Sequence, residues 1–176
     1  MKDNVMPSIV LTIICIVASL LLVFAHELTK ENIAEQKQVR FNSSVELLFG
    51  KTESRLLDSN FNEDSVQAIA VTSDNRTAIQ VISDGYSKSG INILVGIDET
   101  GAISGIEFVS LGETPGLGSK IRDNTDFREQ FYGVSETDVQ LDSISGATFS
   151  SKGMKSAVDT ALKVYTENKE EILSGE

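Results

Sequence analysis

The sequence predicts an α+β protein in which one N-terminal transmembrane helix and a helical stalk precede a mainly antiparallel β-sheet with packed helices. The first part of the chain contains a long apolar run without charges, and the middle contains short segments rich in Ile and Val between turn residues. The last part carries an apolar stripe at helical spacing. The 176 residues are enough for one domain plus an anchor. We therefore expect an anchor over residues 1–26, a stalk over 27–50 and one domain over 51–176.

The N-terminal apolar run predicts a single membrane-spanning helix. No residue from Asn4 to Ala25 is charged, and the stretch from Ile9 onward is almost wholly apolar. At ~1.5 Å per residue, such a helix would be about 33 Å long, which is enough to cross a bilayer. The alternative is a cleaved signal peptide, because Val23 and Ala25 place small residues where a signal peptidase requires them. The run exceeds the usual signal-peptide core of ~7–15 residues, which favours the anchor.

The composition argues against several kinds of site. Cys15 is the only cysteine and lies inside the apolar run, so no intrachain disulfide and no cysteine-ligated metal or iron–sulfur centre can form. His26 is the only histidine, and its position at the membrane boundary is typical of an interfacial polar residue. The net charge of −11 disfavours binding to nucleic acid. We therefore expect neither a metal-dependent catalytic centre nor a nucleic-acid partner.

The middle of the chain predicts a stalk followed by an antiparallel sheet. The segment Leu28–Phe49 is polar and lacks Gly and Pro, which favours a helix that ends at Gly50. Two turn-rich tetrapeptides, at 73–76 and 98–101, are typical of hairpins and predict antiparallel pairing of the strands around them. The predicted strands are Gln67–Thr72, Ala78–Ser83, Ile91–Ile97 and Ile103–Leu111.

The C-terminal part predicts two helices and one further strand. A short helix over Asn124–Tyr132 would place two Phe side chains on one face, and Val139–Ile144 is typical of a strand. The last helix is expected to begin at about Ser150 or Ser151, and its apolar stripe should pack in the core. The stripe consists of Met154, Ala157, Val158, Ala161, Leu162 and Tyr165. Packing of this stripe would fix the position of the helix N-terminus.

The turn before the last helix is the strongest candidate for a binding site. It contains Ser145, Gly146, Ala147 and Thr148. Gly and small side chains let the backbone approach a ligand closely, while the helix that follows presents unpaired N–H groups and the positive end of its dipole. Such an arrangement is suited to a phosphate group. The alternative from the pattern alone is a turn with a helix N-cap, because Ser and Thr are common at helix starts.

A resemblance to a known family bears on this choice. The segment Asp142–Thr148, written D-x-x-S-G-A-T, resembles the flavinylation motif of the bacterial FMN-binding domain family. In that family a flavin transferase uses FAD to attach FMN to the last Thr through a phosphoester bond. The resemblance therefore implies that Thr148 carries covalent FMN. The residues that it implies around the phosphate are Ser145, Gly146, Ala147, Ser150 and Ser151.

A second segment, Glu113–Ile121, is similar to the E-T-P-G-L-G-x-K-I segment of the same family. The resemblance implies that this loop forms the other side of the FMN site. Its candidate residues are Glu113, Thr114, Gly116, Leu117 and Gly118. From the sequence alone, Glu113 either caps a turn or meets the flavin. The two glycines fit backbone conformations or close approaches that a Cβ would block, and Lys120 is either a surface charge or a partner of the phosphate or pyrimidine oxygens.

Within this family, the chain resembles the G subunit of Rnf complexes, the ion-translocating ferredoxin:NAD oxidoreductases, over essentially its whole length. The resemblance rests on the segment from Gly85 to Ile121, the membrane helix, the polar stalk and the C-terminal flavin motif. Many relatives carry a His shortly before the Glu-Thr-Pro-Gly segment, where this chain has Ser110-Leu111-Gly112. The alternative within the family is the C subunit of the sodium-translocating NADH:quinone reductase, which is usually longer.

The resemblance implies an electron relay and not an independent catalyst. FMN accepts one or two electrons, and the sequence lacks the Gly-rich dinucleotide loop of a hydride-donor site. The implied partners are other subunits of a membrane redox complex and, for maturation, a flavin transferase. The family places its soluble domain outside the cytoplasm, whereas basic residues after the apolar run, such as Lys30 and Lys37, favour the opposite orientation. A flavin-free, membrane-anchored binding or sensor module is the alternative from another functional class.

Overall fold

The computed structural model of the chain describes residues 5–57, 61–138 and 140–174. The chain divides into two compact units, residues 1–41 and 42–176. Helix α1 runs from Val5 to Phe49 and therefore forms the first unit and the beginning of the second. The second unit contains an antiparallel sheet with helices, so the predicted α+β class is confirmed.

Helix α1 contains both the predicted membrane segment and the predicted stalk. Its part from Met6 to Lys30 is long and apolar enough to cross a membrane, and its large apolar side chains are exposed. The helix ends at Phe49, and Gly50 follows with a φ of +78°. This is the left-handed conformation that glycine commonly adopts after a helix C-terminus. The predicted end of the stalk helix is therefore confirmed.

The second unit is built on a five-stranded antiparallel sheet with the strand order β1-β2-β3-β4-β5. The strands are β1 Ser54–Leu57, β2 Val66–Thr72, β3 Thr77–Ser83, β4 Ile91–Ile97 and β5 Ile103–Leu111. The last four agree with the predicted strands, whereas the sequence pattern does not predict β1, which is short and mostly exposed. Both predicted hairpins are present, since the Thr72 N–H donates to Arg76 O and the Asp98 N–H donates to Ala102 O, each at 2.9 Å.

Both faces of the sheet are covered within this unit. On one face lies helix α4, Thr148–Ser174, whose six stripe residues are all buried, as predicted. On the other face, the side chain of Leu48 at the end of α1 fits against Gly96 and Gly105, which pair across β4 and β5. A Cβ on these glycines would lie 2.6 and 2.8 Å from Leu48. The glycine pair therefore leaves a notch that holds the helix end on the sheet.

Two short helices precede the last one, α2 over Lys120–Asp123 and α3 over Thr125–Glu129. The Asn124 side chain caps α3 by accepting a hydrogen bond from the Phe127 N–H at 3.0 Å. The predicted helix over 124–132 is thus present but ends at Glu129. The predicted set does not include α2, which is a single turn.

Two expectations for the C-terminal part are wrong. Residues 140–144 form no strand, and Val139 lies outside the described residues. The Asp142 N–H donates to the Gln130 side chain at 2.9 Å and the Ile144 N–H donates to Ser151 Oγ at 3.1 Å, so side chains take donors that a strand ladder would need. Helix α4 begins at Thr148, earlier than the expected Ser150 or Ser151. Thr148 therefore belongs to the first turn of the helix.

Candidate functional site

A cleft of about 240 Å³ at the N-terminal end of α4 brings the two sequence motifs together. The Glu113–Ile121 motif runs into α2, the Asp142–Thr148 motif follows α3, and each contributes residues to the cleft. The loop between β3 and β4 and the first turn of α4 complete it. The lining residues are Tyr86, Thr114, Leu117, Gly118, Gly146, Ala147, Thr148, Phe149 and Ser150.

The start of α4 presents backbone donors next to an exposed hydroxyl. The hydrogen bond from the Ser151 N–H to Ala147 O, at 2.8 Å, is the first bond of the helical ladder. The N–H groups of Thr148, Phe149 and Ser150 therefore precede the ladder, as the first donors of any α-helix do. The Thr148 side chain is exposed at this point. An alcohol at the positive end of the helix dipole is suited to carry an esterified phosphate.

A buried carboxylate lies behind the cleft. Glu113 is only 6% exposed and is the one charged residue in the buried set of the described chain. Its Oε1 accepts a hydrogen bond from the Ser87 N–H at 2.9 Å, and its Oε2 accepts one from the Tyr86 N–H at 3.2 Å. The buried hydroxyl of Ser150 also donates to Oε2. Glu113 thus connects the loop after β3 to the first turn of α4. These contacts agree with the expectation that Glu113 caps a turn.

Three glycines make room for this carboxylate. A Cβ on Gly85 would lie 2.6 Å from Glu113 Oε1, and a Cβ on Gly90 would lie 2.7 Å from the same atom. A Cβ on Gly118 would lie 2.7 Å from Ser150 Oγ and would also collide with the Glu113 carboxylate. We refer to Glu113, Ser150 and these three glycines as the wall of the cleft. The wall is close-packed, with Gly85 partly buried and its other residues buried, and an added methyl group has no space at its glycines.

Exposed side chains border the cleft. Tyr86 is 75% exposed and Phe149 is 70% exposed, and Leu117 and Thr148 are exposed as well. We refer to Tyr86, Leu117, Thr148 and Phe149 as the lip of the cleft. Neither Tyr86 nor Phe149 is among the site residues predicted from the motifs. The available signal is their position in the sequence, since Tyr86 lies in the segment from Gly85 to Ile121 that carries the resemblance and Phe149 directly follows Thr148.

The comparisons with known proteins agree with this geometry. The profile of the FMN-binding domain matches residues 85–163, a span that contains every residue lining the cleft. The chain is 30% identical over 195 residues to the G subunit of the ion-translocating oxidoreductase complex of Aliivibrio fischeri. That match covers 95% of this chain and 92% of the relative. The chain belongs to this G-subunit family.

Further relatives in the G-subunit family match over different lengths. The G subunit of the ion-translocating oxidoreductase complex of Vibrio vulnificus is 30% identical over 174 residues, which cover 84% of this chain and 82% of that protein. The G subunit of the Na(+)-translocating ferredoxin:NAD(+) oxidoreductase complex of Acetobacterium woodii is 31% identical over 96 residues. The Acetobacterium match covers 47% of this chain and 45% of the relative.

The remaining motif residues of this G-subunit family member lie around the cleft and shape its loops. Gly116 and Gly146 have φ values of +74° and +79°, and a Cβ on either would meet open space. Their role is therefore to allow left-handed turns, because other residues adopt such φ values at a cost. Ser145 is exposed in the turn, whereas Ser151 is buried and uses its hydroxyl for the Ile144 N–H.

Proposed function

We propose that the chain is an electron-transfer subunit of a membrane-bound, ion-translocating ferredoxin:NAD oxidoreductase and carries FMN in a phosphoester bond to Thr148. The observation that carries the proposal is the cleft at the start of α4, where both motifs meet around an exposed hydroxyl. Membership of the G-subunit family and the match to the FMN-binding domain support the cofactor and the complex. The name of the Acetobacterium woodii relative supports ferredoxin and NAD as the electron carriers that the complex connects.

The position of Thr148 favours it among the hydroxyl groups of the cleft. The hydroxyl-bearing residues that line the cleft are Tyr86, Thr114, Thr148 and Ser150. The Ser150 hydroxyl is buried and bonded to Glu113, so it is not free to react. Thr148 lies at the helix start, where N–H groups and the dipole stabilise an anion by ~0.3–1 kcal/mol at an exposed site. In the proposed maturation, Thr148 Oγ1 bonds to the FMN phosphorus of FAD, AMP leaves, and a flavin transferase catalyses the exchange.

The cleft suits a relay because it would hold the proposed cofactor and leave it accessible from solvent. FMN supplies one- or two-electron chemistry, and the protein supplies its position and its surroundings. A covalent phosphoester would retain the flavin through repeated turnovers, while the exposed lip would allow redox centres of neighbouring subunits to come close. We propose that electrons enter from one such centre and leave to another, so that the chain acts on no substrate of its own.

The attachment is tested by replacing the hydroxyl. In cells that also produce the flavin transferase, Thr148→Val should lack covalent flavin, because Val removes the oxygen that forms the ester. The measurements are flavin fluorescence in the denatured gel band and the intact mass, which in the parent should rise by one FMN less one water. Thr114→Val is the matched control and should keep the flavin, since it removes another exposed hydroxyl of the same cleft. Flavin that stays on Thr148→Val would reject Thr148 as the attachment residue.

We further propose that residues 1–26 remain in the mature protein as a single-pass anchor, 27–50 form a stalk, and 51–176 form the FMN-binding domain outside the cytoplasm. The exposed apolar part of α1, Met6–Lys30, supports the anchor. A protease added to spheroplasts should digest the FMN-binding domain and leave cytoplasmic control proteins intact. Protection of that domain would contradict its proposed side, and a mature N-terminus at His26 would contradict the anchor.

A further inference from the structure

The buried carboxyl group of Glu113 has no cationic partner among the residues that the structure describes. The described ion pairs involve Arg76, Arg122, Lys155 and Lys163, and none of them includes Glu113. A buried carboxylate is costly unless hydrogen-bond donors surround it. Here the donors are two backbone N–H groups and one hydroxyl, from segments far apart in the chain. Burial of the carboxylate is therefore tolerated only while the β3–β4 loop and the start of α4 keep their donors around it. The carboxylate in turn holds these two segments together.

The loop between β3 and β4 is shaped around this carboxylate. Gly85 and Gly90 approach Glu113 so closely that a side chain at either position would displace it. At the end of β3, directly before the loop, Ser83 Oγ donates to Gly153 O of α4 at 2.8 Å. The chain is thus bonded to α4 directly at Ser83, and the loop is connected to α4 through Glu113 at Tyr86 and Ser87. The backbone of Tyr86 is therefore held in place by these bonds, although its side chain is largely exposed.

We propose that Glu113 is a positioning residue whose carboxylate holds the backbone of Tyr86 and Ser87 against Ser150, and so places the Tyr86 ring beside the flavin. The proposal rests on the proposed function for the identity of the bound ring. An aromatic side chain on the lip provides a flat apolar surface against which a flavin ring can stack. Because the exposed Tyr86 side chain has few contacts of its own, the anchored backbone fixes the position of its Cβ and so limits the region that the ring can reach.

The first test measures the loop without flavin. Full-length protein in detergent, carrying Thr148→Val, is compared with the same protein carrying Glu113→Gln, and amide hydrogen exchange is followed at Tyr86 and Ser87. Gln has the same shape but turns an NH2 group toward donors, so exchange at these amides should become about tenfold faster or more. Glu99→Gln, at an exposed carboxylate in the β4–β5 turn, is the matched control and should change neither rate. Unchanged rates in a folded Glu113→Gln protein would overturn the proposal.

If Glu113→Gln does not fold, a second variant, Ser150→Ala, tests whether Glu113 connects the loop to α4. Ser150→Ala keeps the carboxylate and removes only the hydroxyl that fixes it to α4. Exchange at Tyr86 and Ser87 should then be about fivefold faster, as expected for the loss of one hydrogen bond. If those amides exchange as in the parent, Glu113 does not connect the loop to the helix, and the proposal fails.

The second test uses a spectroscopic signal that a merely structural role would not change. A tyrosine in contact with a flavin quenches its fluorescence, so Tyr86→Leu should raise the emission of the flavin-loaded protein. Glu113→Gln should raise it similarly, and the double variant should show no further increase. Additive increases would show that Glu113 does not act through Tyr86. Absence of covalent flavin from the parent protein would reject the proposed function, whereas the exchange experiment would still decide the role of Glu113.

Discussion

The wall and the lip of the cleft lie side by side but have opposite physical properties. Ser150 in the wall is 1% exposed and hydrogen-bonded, while Thr148, two residues earlier on the same helical turn, is exposed at the lip. The wall is packed around a buried carboxylate with glycines where side chains would collide. The same helix start therefore contributes both a residue of the wall, Ser150, and the proposed attachment residue, Thr148. Ser150 is buried in the wall, whereas the neighbouring Thr148 faces solvent at the lip.

Tyr86 connects the two regions. Its backbone N–H donates to the Glu113 carboxylate of the wall, whereas its side chain is exposed at the lip. A substitution that shifts the Glu113 carboxylate is therefore expected to shift the Tyr86 backbone and, with it, the Tyr86 side chain at the lip. A change confined to the lip should leave the wall intact, because exposed side chains contribute little to the packing of the core.

The largest effect is expected from a methyl group added to the wall. Gly118→Ala should lower the free energy of unfolding by about 1–3 kcal/mol, because the new Cβ would lie 2.7 Å from Ser150 Oγ and overpack the site. Urea unfolding of the full-length protein in detergent measures the change. Gly112→Ala is the matched control, since its Cβ would lie 3.5 Å from Gly90 Cα, an ordinary contact. Equal stability of the two variants would mean that the wall is not close-packed.

A smaller effect is expected at the lip. Thr148→Val, which should abolish covalent flavin, should change the free energy of unfolding of the flavin-free protein by no more than about 0.5 kcal/mol, as is usual for exposed positions. The measurement is urea unfolding of both proteins produced without the flavin transferase. A large loss of stability would show that Thr148 supports the fold, and the contrast between the two regions would then be wrong.

The smallest effect is expected at Asp98, whose carboxylate accepts hydrogen bonds within a turn away from the cleft, as the Glu113 carboxylate does behind the cleft. Its carboxylate accepts hydrogen bonds from Thr100 Oγ1 and from the N–H groups of Thr100 and Ala102. The hydrogen bond from the Thr100 hydroxyl is the main cause that lowers the pKa of Asp98 below its usual value of 3.8. A lowered folded-state pKa stabilises the protein above the unfolded-state pKa, and this contribution is lost as the pH falls through the folded-state pKa.

The pH dependence of unfolding tests this role. Between about pH 6 and pH 3, the parent should lose more stability than Asp98→Asn, which cannot titrate, and the difference should be smaller than the effect of Gly118→Ala. Asp126→Asn provides a control at an exposed carboxylate in α3. An equal loss in the parent and in Asp98→Asn would show that the hydrogen bonds of Asp98 do not depend on its charge.

Local patterns were sufficient for most of the framework. The apolar stripe of α4, the four Ile- and Val-rich strands and the two hairpins are confirmed, because each depends on residues close together in the sequence. The segment 140–144 shows the limit of such patterns. Its backbone donors are taken by Gln130 and Ser151, which a local pattern does not include, so a strand-like composition forms no strand.

The apolar helix, the strand-rich domain and the candidate turn with Thr148 could all be predicted from the amino-acid sequence, since periodicity, charge and motif spacing are local properties. The sequence predicts that Gly116 and Gly118 serve a backbone conformation or a close approach, and the folded chain shows that Gly116 has a positive φ and that Gly118 leaves space for its neighbours. The position of Glu113 behind the cleft also became known only from the folded chain. The physical reason is that burial and hydrogen bonding are properties of segments brought together by folding. The donors to the Glu113 carboxylate come from two loop residues and a helix residue, and no local pattern encodes their meeting.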